Sequence, residues 1–183
     1  MCEQGLPILA SMATPDFILA LREKIGNDPL WLSGVTAVVL REGRVLLAQR
    51  ADSGQWTAVT GIIDPGEQPA DAAVREVLEE TGVEVVPERL AMVNVTDPVV
   101  YDNGDQTQYL DLVFRLSWQS GDPYPADGEN TATRWFPLDD LPPMTYDMIA
   151  RIAAAVADEP AARFVVSPQS EHGHPTAQPA ATG

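Results

Sequence analysis

The sequence predicts an α/β domain built on a mixed β-sheet. Two observations lead there: β-rich runs lie on both sides of one central amphipathic helix, and a further helix stands at each end of the array. The size of the chain sets the scale, because 183 residues with 45% hydrophobic content suffice for one ordinary domain with a real core and not for two comfortable ones. The domain is expected over residues 14–159. Residues 1–13 read as a loose leader, and residues 160–183, rich in Pro, Ala, Ser and Gln, read as a disordered tail.

The first helix is expected to start at Thr14-Pro15-Asp16, with Thr14 as the capping hydroxyl and proline at the first helical position. Phe17, Ile18, Leu21 and Ile25 recur on one face, and Gly26 ends the helix. This helix is expected to pack on the domain or on a second subunit. Next come two β-rich runs, 35–40 and 44–49, flanking Glu42-Gly43, a strong hairpin signal. Pro65-Gly66 fits the central pair of a type II turn. Pro69 opens a helix that runs to about Thr81, where Gly82 stops it. Residues 90–95, 109–116 and 133–136 read as strands, and 145–156 as a last helix with Ile149, Ile152 and Val156 inward.

Charge and composition exclude several classes. With 27 acidic against 11 basic residues the net charge is −16, which repels a nucleic-acid backbone, and no basic stripe offsets it. No apolar run approaches the length of a membrane span, and the N-terminus lacks the basic region of a signal peptide. The single cysteine, Cys2, rules out an internal disulfide and suits a reducing, cytoplasmic setting. If the substrate is anionic, something positive must bridge it to this acidic chain, and a bound metal is the first suspicion.

The central helix carries Arg75-Glu76-Val77-Leu78-Glu79-Glu80. Glu76, Glu79 and Glu80, at i, i+3 and i+4, share one side of it, next to an apolar arc of Ala73, Val74, Val77 and Leu78. Three carboxylates that close destabilise a helix unless a cation justifies them, although an acidic run is also a common solvated face. Before the helix come the Pro-Gly turn and Gly61, whose backbone carbonyl can approach an ion closely. Oxygen donors of this kind suit Mg²⁺ or Mn²⁺ together with substrate phosphate.

Residues 61–83, GIIDPGEQPADAAVREVLEETGV, resemble the Nudix hydrolase signature at every fixed position: Gly61, Glu67, Arg75, Glu76, Val77, Glu79, Glu80, Gly82 and Val83. A looser likeness in strand order extends over residues 34–142. The resemblance implies a Nudix fold, an α/β/α sandwich, and hydrolysis of a nucleoside diphosphate linked to another moiety. It implies that Glu76, Glu79 and Glu80 hold the metal with the Gly61 carbonyl, and that Arg75 and Glu67 form a supporting ion pair. Arg75 also stands four residues before Glu79, so it can hold that carboxylate in place. The chemistry expected is attack of water on one phosphorus, with the metal lowering the pKa of that water and a carboxylate taking its proton.

His172 and His174 both fall in the tail, so the base is expected to be a glutamate. That is either one of the box residues, Glu79 and Glu80 among them, or Glu129, six residues before Trp135. Asp127 and Asp122 are weaker rivals in the same loop. Arg50 is read as a phosphate contact, with an ordinary surface arginine as the equal alternative. Trp56 and Tyr109 are candidates to stack on the substrate, a core position being favoured for both.

The substrate is less legible. Markers downstream of the box, Pro98 and Tyr101, point toward ADP-ribose and dinucleoside polyphosphates respectively, and Thr60-Gly61 departs from the common Gly-Gly start. ADP-ribose-like compounds are favoured, with modified or oxidised nucleoside triphosphates next and a catalytically silent nucleotide-binding domain as the remaining alternative. The partner expected is a small nucleotide-type molecule, with neither nucleic acid nor membrane. The first helix and the apolar strands suggest a homodimer.

Overall fold

The computed structural model describes residues 14–166. Among them the chain forms helices α1 (Asp16–Ile25), α2 (Pro69–Thr81) and α3 (Tyr146–Val156) and strands β1 (Leu30–Arg41), β2 (Arg44–Arg50), β3 (Trp56–Thr57), β4 (Val59–Ile62), β5 (Glu84–Val95), β6 (Val99–Val100), β7 (Gln106–Ser120), β8 (Asn130–Pro137) and β9 (Arg163–Phe164). The strands make one mixed sheet in the order β3-β2-β1-β7-β5-β9, with β4 beside β1, β6 beside β7 and β8 beside β2. β1 and β7 run parallel, whereas the hairpin β1–β2 is antiparallel. At the hairpin tip Glu42 (φ 48°) and Gly43 (φ 74°) both take the left-handed region that a tight primed turn requires.

β1 shows why the sheet is covered on both faces. Val35, Ala37 and Val39 enter one core with Ala72, Ala73 and Val77 of α2, while the alternate Val38 enters the other with Met148, Ile152 and Ala155 of α3. The result is the expected α/β fold, helices on both faces of a mixed sheet. α3 is fixed by a polar pin as well: the Arg151 guanidinium pairs with buried Asp111 on β7 at 3.2 Å and donates to Thr36 Oγ1 on β1 at 3.2 Å.

Several local expectations need correction. Thr14 does not cap α1; Pro15 is the N-cap, and its carbonyl accepts from Ile18 and Leu19. Of the expected α1 face only Ile18 is fully buried, and Leu21 is exposed; the helix is tied to β7 by Arg22. That guanidinium donates to the Gln106 carbonyl at 2.7 Å. Leu78 (49% exposed) and Ile149 (43%) lie outside the buried arcs assigned to them. Counting about 100° per residue from Ala73, Leu78 falls roughly 140° round α2, beyond the reach of the sheet. The expected tail from residue 160 begins with β9, which pairs parallel with β5 (Met92 with Arg163, Val93 with Phe164). Residues 1–13 and 167–183, with His172 and His174, lie outside the described residues.

Candidate active site

The loop before α2 is closed by a β-turn in which Glu67 N–H donates to the Asp64 carbonyl at 3.0 Å, with Gly66 at φ 90° as a type II turn needs. Arg75 fastens this loop to the helix. Its Nε and Nη2 grip the two oxygens of Glu67 at 2.8 and 3.0 Å, and Nη2 also donates to the Ile62 carbonyl at 3.2 Å. Its Nη1 donates to Glu76 at 2.9 Å and to Glu79 at 3.0 Å. The Arg75 hydrogen bonds hold the Glu67 carboxyl below the usual carboxylate range. A planar fork with five donors is the side chain suited to so many partners at once.

The three α2 carboxylates are not equivalent. Counting about 100° per residue from Ala73, Glu80 stands roughly 20°, Glu76 roughly 60° and Glu79 roughly 120° round the helix. Exposure follows that order: Glu80 is 7% exposed, the Glu76 side chain 15% and the Glu79 side chain 56%. Burial pushes Glu76 up to about 7 against the pull of Arg75, with Glu79 and Glu129 adding repulsion. Burial likewise pushes Glu80 up to about 8, opposed by a hydrogen bond from Asn130 and reinforced by Glu76, Asp127 and Glu129.

Gly61, on β4, lies directly under Glu76. A Cβ at this position would fall 2.0 Å from Glu76 Cδ and 2.1 Å from Oε1, so only glycine leaves room for the carboxylate. β4 delivers Gly61 there through its pairing with Val35 of β1.

The segment between β7 and β8 closes the site from the other side. Tyr124 N–H donates to the Thr81 carbonyl at 3.1 Å and Ala126 N–H to the Glu80 carbonyl at 3.0 Å, which ties this segment to the end of α2. Asp127 and Glu129 thereby come close enough to Glu80 to repel it, while Asp122 is exposed at the start of the segment. Glu129 is partly buried, and its carbonyl accepts from Ala51 N–H at 2.9 Å. Asn130, the first residue of β8, is 7% exposed and donates from Nδ2 to Glu80 Oε2 at 2.8 Å. Sequence reasoning missed Asn130; the one available signal was its place next to Glu129.

Arg50 ends β2 opposite Asn130. It pairs with Asp52, whose hydrogen bonds raise its pKa, and Glu80 and Glu129 attract it further. Arg50 thus sits within the field of Glu80 and Glu129. Trp56 packs edge-on against Phe136, ring centroids 4.8 Å apart, beside the α3-side core. Tyr109 lies against Gly34, where an added Cβ would fall 3.3 Å from both the Tyr109 ring and the Gly61 carbonyl, and the Tyr109 hydroxyl shares a 2.8 Å hydrogen bond with Tyr101. Gly61, Glu67, Arg75, Glu76, Glu79, Glu80, Glu129 and Arg50 therefore share one neighbourhood; Tyr109 borders it, and Trp56, partly buried, packs against the α3-side core.

Among the described residues no three His, Cys, Asp or Glu side chains converge into a ready-made cation cage. The α2 carboxylates are instead engaged by Arg75 and Asn130. The donor set nevertheless fits a hard divalent ion. It consists of oxygens, Glu80 is buried and Glu76 half-buried, the hydrogen bond to Glu80 comes from a neutral amide, and Gly61 leaves the space against its α-carbon to the Glu76 carboxylate.

Comparison with known proteins gives matches of three kinds. A family profile described as NUDIX domain covers residues 31–156. A MutT-like protein of Streptomyces ambofaciens is 36% identical over 118 residues, covering 63% of this chain and 70% of that protein. An NAD-capped RNA hydrolase, NudC, of Chromobacterium violaceum is 31% identical over 132 residues; the match covers 69% of this chain but 47% of NudC, so the chain spans about half of that relative's length. Among solved structures, an ADP-ribose pyrophosphatase of Streptococcus suis superposes with a TM-score of 0.56 at 24% identity, covering 73% of this chain and 98% of that one. A NUDIX hydrolase of Nitrosomonas europaea gives 0.55 at 23% identity, covering 73% and 76%. At these identities the two structures speak for the fold alone.

Proposed function

The chain belongs to the Nudix family and is a pyrophosphohydrolase of that family, and we propose that it cleaves the phosphoanhydride bond of a nucleoside diphosphate linked to another moiety, ADP-ribose-like compounds being favoured. The observation that carries the reading is half-buried Glu76 over Gly61, held by Arg75, beside buried Glu80, held by Asn130 and faced by the segment bearing Glu129. Glu76, Glu79, Glu80 and the Gly61 carbonyl are the groups that would hold Mg²⁺ or Mn²⁺. Bound there, the ion would polarise a phosphoryl oxygen and lower the pKa of a water.

The chain's own residues supply the rest. Arg75 orients Glu76 and Glu79 and locks the loop bearing Glu67, so the donors are set before substrate arrives. Glu129, across from α2, takes the proton of the attacking water. Arg50 exchanges its partner Asp52 for a non-bridging phosphate oxygen, a stronger match for its fork. Tyr109, with Tyr101, flanks the part of the substrate beyond the diphosphate. The relatives named for NAD-capped RNA raise a polymeric substrate, but a net charge of −16 favours a small one. Among the described residues no helix is long and apolar enough to cross a membrane. A cytoplasmic homodimer completes the proposal, supported by the lone Cys2 and by exposed Leu19 and Leu21 on α1.

The test is a hydrolysis panel with Mg²⁺, with Mn²⁺ and with chelator: ADP-ribose, NAD, NAD-capped RNA, a dinucleoside polyphosphate, and normal and oxidised nucleoside triphosphates. Metal-dependent release of AMP from ADP-ribose is expected. Turnover confined to oxidised triphosphates or to capped RNA would replace the substrate class, and no metal-dependent cleavage of any phosphoanhydride would overturn the reading.

A further inference from the structure

Glu80 is gripped twice by one short segment: its backbone carbonyl accepts from Ala126 N–H at 3.0 Å, and its Oε2 accepts from Asn130 Nδ2 at 2.8 Å. The same segment is locked onto the end of α2. The Tyr124 ring covers Gly82 so closely that a Cβ there would fall 2.2 Å from a ring carbon, and Tyr124 N–H bonds the Thr81 carbonyl. Asn130 itself is buried, anchored in β8, and paired with Arg50 of β2 at an irregularity in the register.

We propose that Asn130 is a positioning residue, which fixes the carboxylate of Glu80 for a divalent cation and sets the spacing between α2 and Glu129. The inference rests on the reading of α2 as the metal-bearing helix. Its chemistry follows from what an amide is. A neutral donor holds one oxygen of Glu80 and leaves the negative charge intact for an ion, in contrast to Glu79, which is partly neutralised by the Arg75 guanidinium at 3.0 Å. A leucine of nearly the same size would fill the space but leave a long side chain free to choose other rotamers. An aspartate would set a like charge against Glu80.

The experiment measures Mn²⁺ affinity of the full chain by electron paramagnetic resonance of free Mn²⁺, with the metal alone as probe. It compares wild type, Asn130→Leu, Glu80→Ala and the double variant. Asn130→Leu is expected to weaken Mn²⁺ binding by about tenfold or more, the usual effect of losing a partner of a metal ligand. In the Glu80→Ala background the same change should matter by less than about twofold, because the amide then has no carboxylate to hold and the coupling between the two positions is gone. Wild-type affinity in Asn130→Leu, or an equal loss in both backgrounds, would overturn the proposal, because packing alone would act whether or not Glu80 is present. If Asn130→Leu does not fold, Asn130→Ser is read by the same criteria. A wild-type chain that binds no Mn²⁺ would instead refute the metal reading itself, an outcome distinct from the first two.

Discussion

Gly61→Ala separates a structural glycine from a functional one. The backbone at Gly61 is a regular β4 position paired with Val35, and it is not among the residues with positive φ, so alanine is conformationally acceptable there. The obstacle is the Glu76 side chain, 2.0 Å from the new methyl group. The helix is packed through Ala73 and Val77, which are fully buried, so the flexible side chain moves rather than the helix. Overpacking of this kind costs about 1–3 kcal/mol. Against it stands the release of a buried carboxylate pushed up to about 7 from an ordinary value of 4.5. At pH 7 its burial costs about 3 kcal/mol, recovered when the group swings into water. The two nearly cancel, so thermal unfolding without metal should shift by only a few degrees, roughly what a net 1 kcal/mol does in a domain of this size. Turnover with Mg²⁺ should fall on the order of 100-fold, the scale of losing one preorganised electrostatic group. Circular dichroism melting and metal-dependent release of AMP read the two effects separately. Wild-type turnover in Gly61→Ala, or collapse of the fold, would refute the reasoning.

The metal-free protein should become less stable as pH rises. Glu76 and Glu80 have folded-state values near 7 and 8 against 4.5 unfolded, so their contribution is fully present below about pH 4.5 and lost as pH climbs through 7 to 8. Mg²⁺ should accordingly raise the melting temperature more at pH 8 than at pH 6, and an equal shift at both would contradict the desolvation of Glu76 and Glu80. Glu129→Gln should lower kcat while Mn²⁺ affinity stays near wild type; an unchanged kcat would move the base to a box glutamate. Arg151→Met should destabilise by about 3–5 kcal/mol in urea unfolding, because it strands Asp111 (4% exposed) with Thr36 as its neutral partner. Adding Asp111→Leu should recover much of that loss, and no recovery would mean the pin matters through packing instead.

What the sequence disclosed was whatever depends on near neighbours. The helix over Pro69–Thr81, its Gly82 stop, the Pro65-Gly66 turn and the Glu42-Gly43 tip follow from spacing and turn chemistry, and the structure has them where expected. Contacts between distant segments were not legible. Asn130 meets Glu80 across 50 residues, and Arg151 meets Thr36 across 115, and no local pattern marks either. Periodicity also placed Glu76, Glu79 and Glu80 on one side without ranking them; the order of burial depends on how α2 is rolled against the sheet. Leu78 was misjudged for the same reason. Two-residue strands such as β3 and β9 exist through their pairing partners, so no propensity signal announces them.

The most direct test of the metal reading is an anomalous-difference map from crystals soaked in Mn²⁺. The account predicts a peak bounded by the Gly61 carbonyl and the carboxylates of Glu76, Glu79 and Glu80, with Asn130 still bonded to Glu80. A strong peak elsewhere, with these four groups left in their present partnerships, would contradict it.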